Sequence, residues 1–229
     1  MKNIFTFLFV MLLSSFAVAQ KGTVKIIDGK PVGKSLFTEK MYIFPKFEEG
    51  KIKIQDGTVY EGRVNINTIN QTVDQITDKG DTSGISVENM VKMVTVGRNV
   101  FFKIGKLYYQ IVETNGEISM GLHRRIKLEE EKVEGAYGYA SEVASVSKMS
   151  TVNDFGRSKA IGSEFNLDYT YIEDYFLIYK GKAVVPNKKN FIKAFPKAAQ
   201  KIETWIDENK TDLSTNESQV ALFKLAISY

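Results

Sequence analysis

Short apolar stretches separated by polar turns cover the region from Lys51 to Leu122. The stretches are rich in β-branched and aromatic residues, which favours strands over helices. Two turns are explicit, Asp56-Gly57 and the Thr-Asn-Gly sequence at residues 114–116. In each of them a residue that tolerates a positive φ angle precedes a glycine, as the tight turn of a β-hairpin requires. The pattern therefore predicts an antiparallel meander.

The same reasoning assigns the rest of the chain as far as Pro186. Residues 31–39 have no apolar period and predict a loop, and Pro45 limits the apolar run before it to a sheet edge or a strand end. Residues 87–90 predict a single helical turn. The predicted strands, besides the two arms around Asp56-Gly57, are 23–27, 41–44, 72–76, 91–96, 100–104, 107–112, 117–122, 175–179 and 183–185.

After Pro186 the apolar positions recur with the period of a helix. Pro196 interrupts this pattern, so we predict two short helices with Pro196 in the first turn of the second. Residues 214–217, Ser-Thr-Asn-Glu, form a capping-box sequence and predict that a last helix begins near Ser214 or Thr215. The final residues also alternate as a barrel strand would, but their apolar positions fit a helical stripe behind the capping box.

Together these elements predict an α+β fold. We expect an antiparallel β-meander, or a partly closed barrel or sandwich, followed by two or three C-terminal helices. The predicted division of the chain is a signal peptide at 1–19, a β-rich domain at 20–134, a flexible loop at 135–162, a β-hairpin joining the main sheet at 163–187 and a helical segment at 188–229.

The first nineteen residues have the three parts of a secretory leader. Lys2 supplies the positive charge, residues 4–13 are apolar, and Ala-Val-Ala at 17–19 is a small-residue cleavage site. The apolar run is too short to span a bilayer, so we expect a protein that is not membrane-spanning. Cleavage between Ala19 and Gln20 predicts a periplasmic or extracellular location.

Charge and cysteine content exclude several classes of function. The formal net charge is +4 and is spread along the chain, whereas a nucleic-acid site concentrates basic residues on one face. We therefore expect no nucleic-acid partner. The chain has no cysteine, which excludes disulfides, thiol nucleophiles and thiolate zinc sites.

The residues that could carry catalysis form no recognisable set. His123 is the only histidine, it lies next to two arginines, and no Gly-x-Ser-x-Gly motif accompanies it, so we interpret it as a half-exposed strand residue. The turn at residues 78–82 contains two aspartates but lacks the spacing of a calcium loop. We predict no catalytic residue, no metal site and no cofactor. A pair of carboxylates could still be brought together by folding.

Tyrosines offer the best candidates for ligand binding. Tyr137 and Tyr139 lie among small residues in the predicted loop, where less core is available to bury them. We predict that these two residues bind a ligand, although they could also anchor their own loop. The adjacent aromatic pairs at 108–109 and 175–176 place rings on both strand faces, so either one ring is exposed or both belong to the core.

Several motifs, in their order along the chain, resemble a family of small secreted proteins of Bacteroidota-type bacteria. They are GTVYEGRVNINTINQTVDQI at 57–76, GDT at 80–82, VTVGRNVFF at 94–102, RRIKL at 124–128, GAYG at 135–138 and VVPNKKNFIKAFPKAAQKI at 184–202. The resemblance implies an α+β protein exported to the cell envelope. It implies no activity, since the family has none established.

These observations predict a secreted, non-enzymatic envelope protein that binds a protein or glycan partner through its sheet and loop surfaces. Two alternatives stay open. One is a small-ligand carrier built on a partly closed barrel, and the other is a hydrolase that uses a carboxylate pair.

Overall fold

The computed structural model describes residues 19–77, 80–129, 164–209 and 212–229. In these residues twelve antiparallel strands form one sheet that does not close, and helices follow it, which confirms the α+β class. None of the helices in the described part of the chain is long and apolar enough to cross a membrane. The predicted loop at 135–162 and residues 1–18 of the predicted leader lie outside the described residues.

The sheet has the order β2-β1-β11-β10-β9-β8-β7-β3-β4-β5-β6, and β12 pairs with β11 beside β1. The two explicit turns join β3 to β4 and β9 to β10, as predicted. The strands are β1 Gln20–Ile27, β2 Lys30–Val32, β3 Glu48–Ile54, β4 Val59–Asn67, β5 Thr72–Ile76, β6 Thr82–Gly84, β7 Val91–Val96, β8 Asn99–Ile104, β9 Leu107–Thr114, β10 Ser119–Leu128, β11 Glu164–Tyr179 and β12 Lys182–Val184.

Four α-helices lie in the described residues: α1 Leu36–Lys40, α2 Lys188–Ala194, α3 Ala199–Asn209 and α4 Asn216–Ile227. Pro196 begins a 3-10 turn that leads into α3, which confirms the predicted break. Thr215 caps α4, because its side chain accepts a hydrogen bond from the backbone N–H of Ser218. The last segment is therefore a helix and not a strand. The predicted helical turn before β7 is the 3-10 turn Glu88–Met90.

Two predictions for the segment before β3 were wrong. The expected loop at 31–39 contains β2 and the five-residue helix α1, whose Phe37 is fully buried against the ring of Tyr169. A helix this short shows no apolar period in the sequence. It is stabilised by the contact of Phe37 with Tyr169, a residue of the distant strand β11. The expected strand at 41–44 is reduced to a single bridge between Tyr42 and Asn67.

The sheet bends until the turn between β4 and β5 meets β10. The backbone N–H of Ile126 donates to the carbonyl of Thr68 at 3.1 Å, and the amide nitrogen of Gln71 donates to the carbonyl of Arg124 at 3.0 Å. The pairing of β10 with β9 ends at Leu122, and beyond it these two contacts bond to the free edge of β10. The bend creates an inner face, on which Ile52 and Val94 are cross-strand neighbours in the apolar core, and an outer face.

Two further apolar clusters cover the inner side of the β10–β11 region. Helices α2, α3 and α4 pack Phe191, Ile202 and Phe223, respectively, against one part of it, next to Leu177. Helix α1 covers the other part through Phe37. The outer side of the neighbouring strands β3, β7 and β8 forms the floor of the groove described next.

Candidate functional site

His123 is not available as a catalytic base. Its side chain is buried in β10 and only 1% exposed, so the expected half-exposed position was wrong. The rings of Tyr109 and Phe176 pack against it, and Nδ1 lies 3.0 Å from the carbonyl oxygen of Tyr108. Burial lowers the pKa of His123, which favours the neutral ring at physiological pH. We interpret His123 as a core residue.

Of the two aromatic pairs that sequence reasoning left open, the pair at 108–109 belongs to the core, and the pair at 175–176 is only partly buried. Tyr108 is 3% exposed and Tyr109 is 4% exposed, although their side chains lie on opposite faces of β9. Tyr137 and Tyr139 lie outside the described residues, so their predicted role in binding stays a prediction.

Three buried or partly buried acidic side chains are held by hydrogen bonds. Asp74 accepts from the hydroxyl of Tyr42 at 2.9 Å. Glu88 accepts from the hydroxyl of Tyr108 at 2.7 Å, and Glu173 accepts from Tyr171 at 2.5 Å. These contacts are those of structural carboxylates. In residues 19–77, 80–129, 164–209 and 212–229 no three acidic or histidine side chains form a metal-binding group.

The outer face carries a groove of about 430 Å³ with an apolar floor. Met93 of β7 pairs with Phe102 of β8, and Ile104 follows on the same face of β8. Each of the three is partly exposed. Ile178 of β11 closes the far side of the floor. A groove of this volume lies within the usual range of ligand sites.

Lysines line the rim of this groove. Lys53 is the cross-strand neighbour of Met93, and Lys92 is the extra residue of a β-bulge between β3 and β7. Lys180 comes from the turn between β11 and β12, where Lys180 and Gly181 both have positive φ angles, as in a type I′ hairpin turn. All three lysines are exposed.

The rim has an excess of positive charge. Glu117, from the turn between β9 and β10, is the one exposed acidic residue among the described residues that line the groove, against three exposed lysines. Ammonium groups beside an apolar floor suit a ligand that combines an acidic group with an apolar one. We call this surface the lysine groove; it is the candidate site.

Sequence reasoning missed the lysine groove because its parts come from distant segments. Lys53 lies on the polar side of the alternating stretch at 51–54, which was a usable signal for an outward-facing lysine. The bulge at Lys92 and the approach of the turn at Lys180 depend on strand registers and on pairings between distant segments. No protein-family model matches the chain, no curated protein is significantly similar to it, and no solved structure matches it.

Proposed function

We propose that the protein is a non-enzymatic binding protein of the cell envelope, and that its partner is a protein presenting an acidic segment with an apolar residue. The observation that carries this proposal is the lysine groove, where Lys53, Lys92 and Lys180 surround Met93 and Phe102. The envelope location rests on the predicted leader and on the family resemblance.

The chemistry of the groove favours a protein partner over a glycan. Its floor consists of the apolar side chains of Met93, Phe102 and Ile104, which gain free energy by covering a side chain of similar character. Methionine adapts its shape to such a partner. The lysines then select an acidic segment and speed its approach, since exposed charges act mainly on the rate and specificity of association.

A test uses the fluorescent peptide Asp-Glu-Phe-Glu-Leu-Asp and its uncharged counterpart Asn-Gln-Phe-Gln-Leu-Asn. We expect the triple variant Lys53→Glu/Lys92→Glu/Lys180→Glu to bind the acidic peptide about tenfold or more weakly than the wild type in fluorescence anisotropy. A tenfold loss of affinity corresponds to about 1.4 kcal/mol of binding free energy. Binding should also weaken as salt increases.

The control is Lys30→Glu/Lys127→Glu/Lys197→Glu, which changes the net charge equally at exposed lysines that do not line the groove. It should keep most of the wild-type affinity. Equal loss in the two triple variants would show a general effect of charge and would contradict the proposal.

A second candidate function is the small-ligand carrier on a partly closed barrel. A cavity of about 180 Å³, lined by Ile52, Val64 and Ile85 of the apolar core and by Tyr60, favours it. Native mass spectrometry of the freshly purified protein tests this candidate, because a carrier should retain a bound small molecule. Enlarging a side chain in the cavity by Val64→Phe should then abolish the extra mass.

A further inference from the structure

The long strand β11 is paired without a break along one edge from Tyr169 to Ile178, whereas the pairing along its other edge is interrupted. On one edge β10 pairs with it continuously from Tyr169 to Ile178. On the other edge, β1 pairs with β11 as far as Tyr171, and the pairing with β12 begins at Leu177 of β11. Residues 172–176 lie between these two pairings and span about 17 Å at the usual rise of a strand. We call this stretch of edge the notch.

The register determines which backbone groups face the notch. In an antiparallel pair, alternate residues direct both their N–H and C=O groups toward the same neighbour. The N–H of Glu129 donates to the carbonyl of Asp168 at 2.9 Å, so even-numbered residues of β11 face β10. The unbroken register carries this alternation through Asp174 and Phe176. Glu173 and Tyr175 therefore direct their backbone groups into the notch.

A second contact supports the same alternation. The carbonyl of Arg124 accepts from Gln71, on the side of β10 away from β11. Even-numbered residues of β10 thus face away from β11, and its odd-numbered residues face β11, as the pairing of His123 with Asp174 requires. Among the described residues, no backbone or side-chain hydrogen bond is made to the backbone of Glu173 or Tyr175.

We propose that the notch binds one extended peptide segment of a partner protein by strand addition. Unpaired N–H and C=O groups at a strand edge are a template for another strand. Strands β1 and β12 pair with the same edge of β11, one at each end of the notch. The edge strand of a second sheet would therefore collide with them. The interruption is five residues long, which limits the added strand to a single short segment.

Charge contributes little to recognition at the notch. Glu173 is paired with Arg124 at 3.2 Å, and Asp174 with Arg125 at 3.6 Å, so the side chains on both faces form neutral pairs. Selection rests on the backbone and on strand propensity. Binding at the notch should therefore be nearly independent of salt, unlike binding at the lysine groove, and the two proposals stand or fall separately.

Hydrogen exchange measured by NMR on the chain beginning at Gln20 tests whether the edge is free. After correction for intrinsic rates, we expect the amides of Glu173 and Tyr175 to exchange about a hundredfold faster than those of Asp174 and Phe176, which bond to β10. Equal protection of all four amides would show that the chain itself fills the notch, and would overturn the proposal.

The neutral peptide Val-Thr-Val-Thr-Val-Thr then serves as the probe at roughly millimolar concentration, since its residues favour strands. It should slow exchange at Glu173 and Tyr175 about tenfold. N-methylation of alternate residues leaves one edge of the peptide intact and should preserve the effect, whereas N-methylation of every residue should abolish it. No slowing by the unmodified peptide, or the same slowing by the fully methylated one, would overturn strand addition.

Discussion

Two polar clusters on the inner face of the sheet use the same three kinds of group in different surroundings. In the first, Glu88 accepts from the hydroxyl of Tyr108 and from the ammonium group of Lys103. In the second, Glu173 accepts from the hydroxyl of Tyr171 and from Nε of Arg124. The side chains of Lys103 and Glu88 are 8% and 20% exposed, against 22% and 35% for Arg124 and Glu173. Burial is the main difference between the clusters.

The buried cluster compensates for lost hydration with additional contacts. Lys103 also donates to the backbone carbonyl of Glu88 at 2.6 Å, and its ammonium lies 5.3 Å from the ring centre of Tyr108. The second carboxylate oxygen of Glu88 accepts from the N–H of Val73 at 2.8 Å. Removing one partner leaves the others buried without compensation, whereas water can replace a partner in the more exposed cluster.

The largest effect is expected for Lys103→Met. The substitution keeps most of the side-chain volume but leaves the carboxylate of Glu88 without its positive partner. We expect the free energy of unfolding to fall by about 3 kcal/mol, near the lower end for breaking a buried pair because Glu88 keeps some contact with water. Urea denaturation monitored by circular dichroism gives this value.

Two control variants separate charge burial from packing. Lys106→Met changes an exposed lysine of the neighbouring turn and should alter the free energy of unfolding by less than about 0.5 kcal/mol. Lys103→Met/Glu88→Gln removes both charges and should recover a large part of the loss. If the double variant were as unstable as Lys103→Met, the packing of the lysine chain, and not the pair, would account for the effect.

Tyr108 and Tyr171 should make the free energy of unfolding fall at alkaline pH. Burial and the neighbouring Glu88 raise the pKa of Tyr108, and burial with the hydrogen bond to Glu173 raises the pKa of Tyr171. Each raised pKa contributes stability that is present below the unfolded value of about 10 and is lost as the pH rises above it. The expected loss approaches about 1.4 kcal/mol per pH unit for each such tyrosine.

Urea denaturation between pH 9 and 11.5 measures this slope. Tyr108→Phe and Tyr171→Phe should each reduce this loss of unfolding free energy per pH unit by the contribution of one tyrosine. The two reductions should be similar, because both hydroxyl groups resist ionisation throughout this range. Tyr109 and Tyr175, whose pKa values burial also raises, stay in both variants as a common background. An unchanged slope in either variant would contradict the assignment for that residue.

Local chemistry explains which parts of this fold could be predicted from the sequence. The turn at Asp56-Gly57 and strand β5, Thr72–Ile76, were predicted because turn residues and alternation act over a few neighbours. The contact of Gln71 with Arg124 joins residues 53 positions apart and depends on the bend of the whole sheet. No local pattern indicates such a contact, or that the rings of Tyr109 and Phe176 from the two neighbouring strands cover His123.

The candidate sites were harder to predict for a related reason. The lysine groove combines Lys53 with Lys180, and the notch exists because β1 and β12 leave residues 172–176 of β11 unpaired between them. Each depends on the lengths and registers of strands that pair across the chain. A sequence shows strand propensity but not where pairing stops.

The smallest effect is expected for Arg124→Met in the more exposed cluster. Arg124 donates to Glu173 at 3.2 Å and also to the side chain of Gln110, and both it and Glu173 retain contact with water. Because exposed pairs contribute little, the free energy of unfolding should fall by less than about 1 kcal/mol. Raising the salt concentration should reduce the difference from the wild type, since partly exposed charges are screened. A loss equal to that of Lys103→Met would mean that burial does not distinguish the two clusters, and that the hydrogen bonds to Gln110 and Tyr171 determine the stability of this part of the sheet.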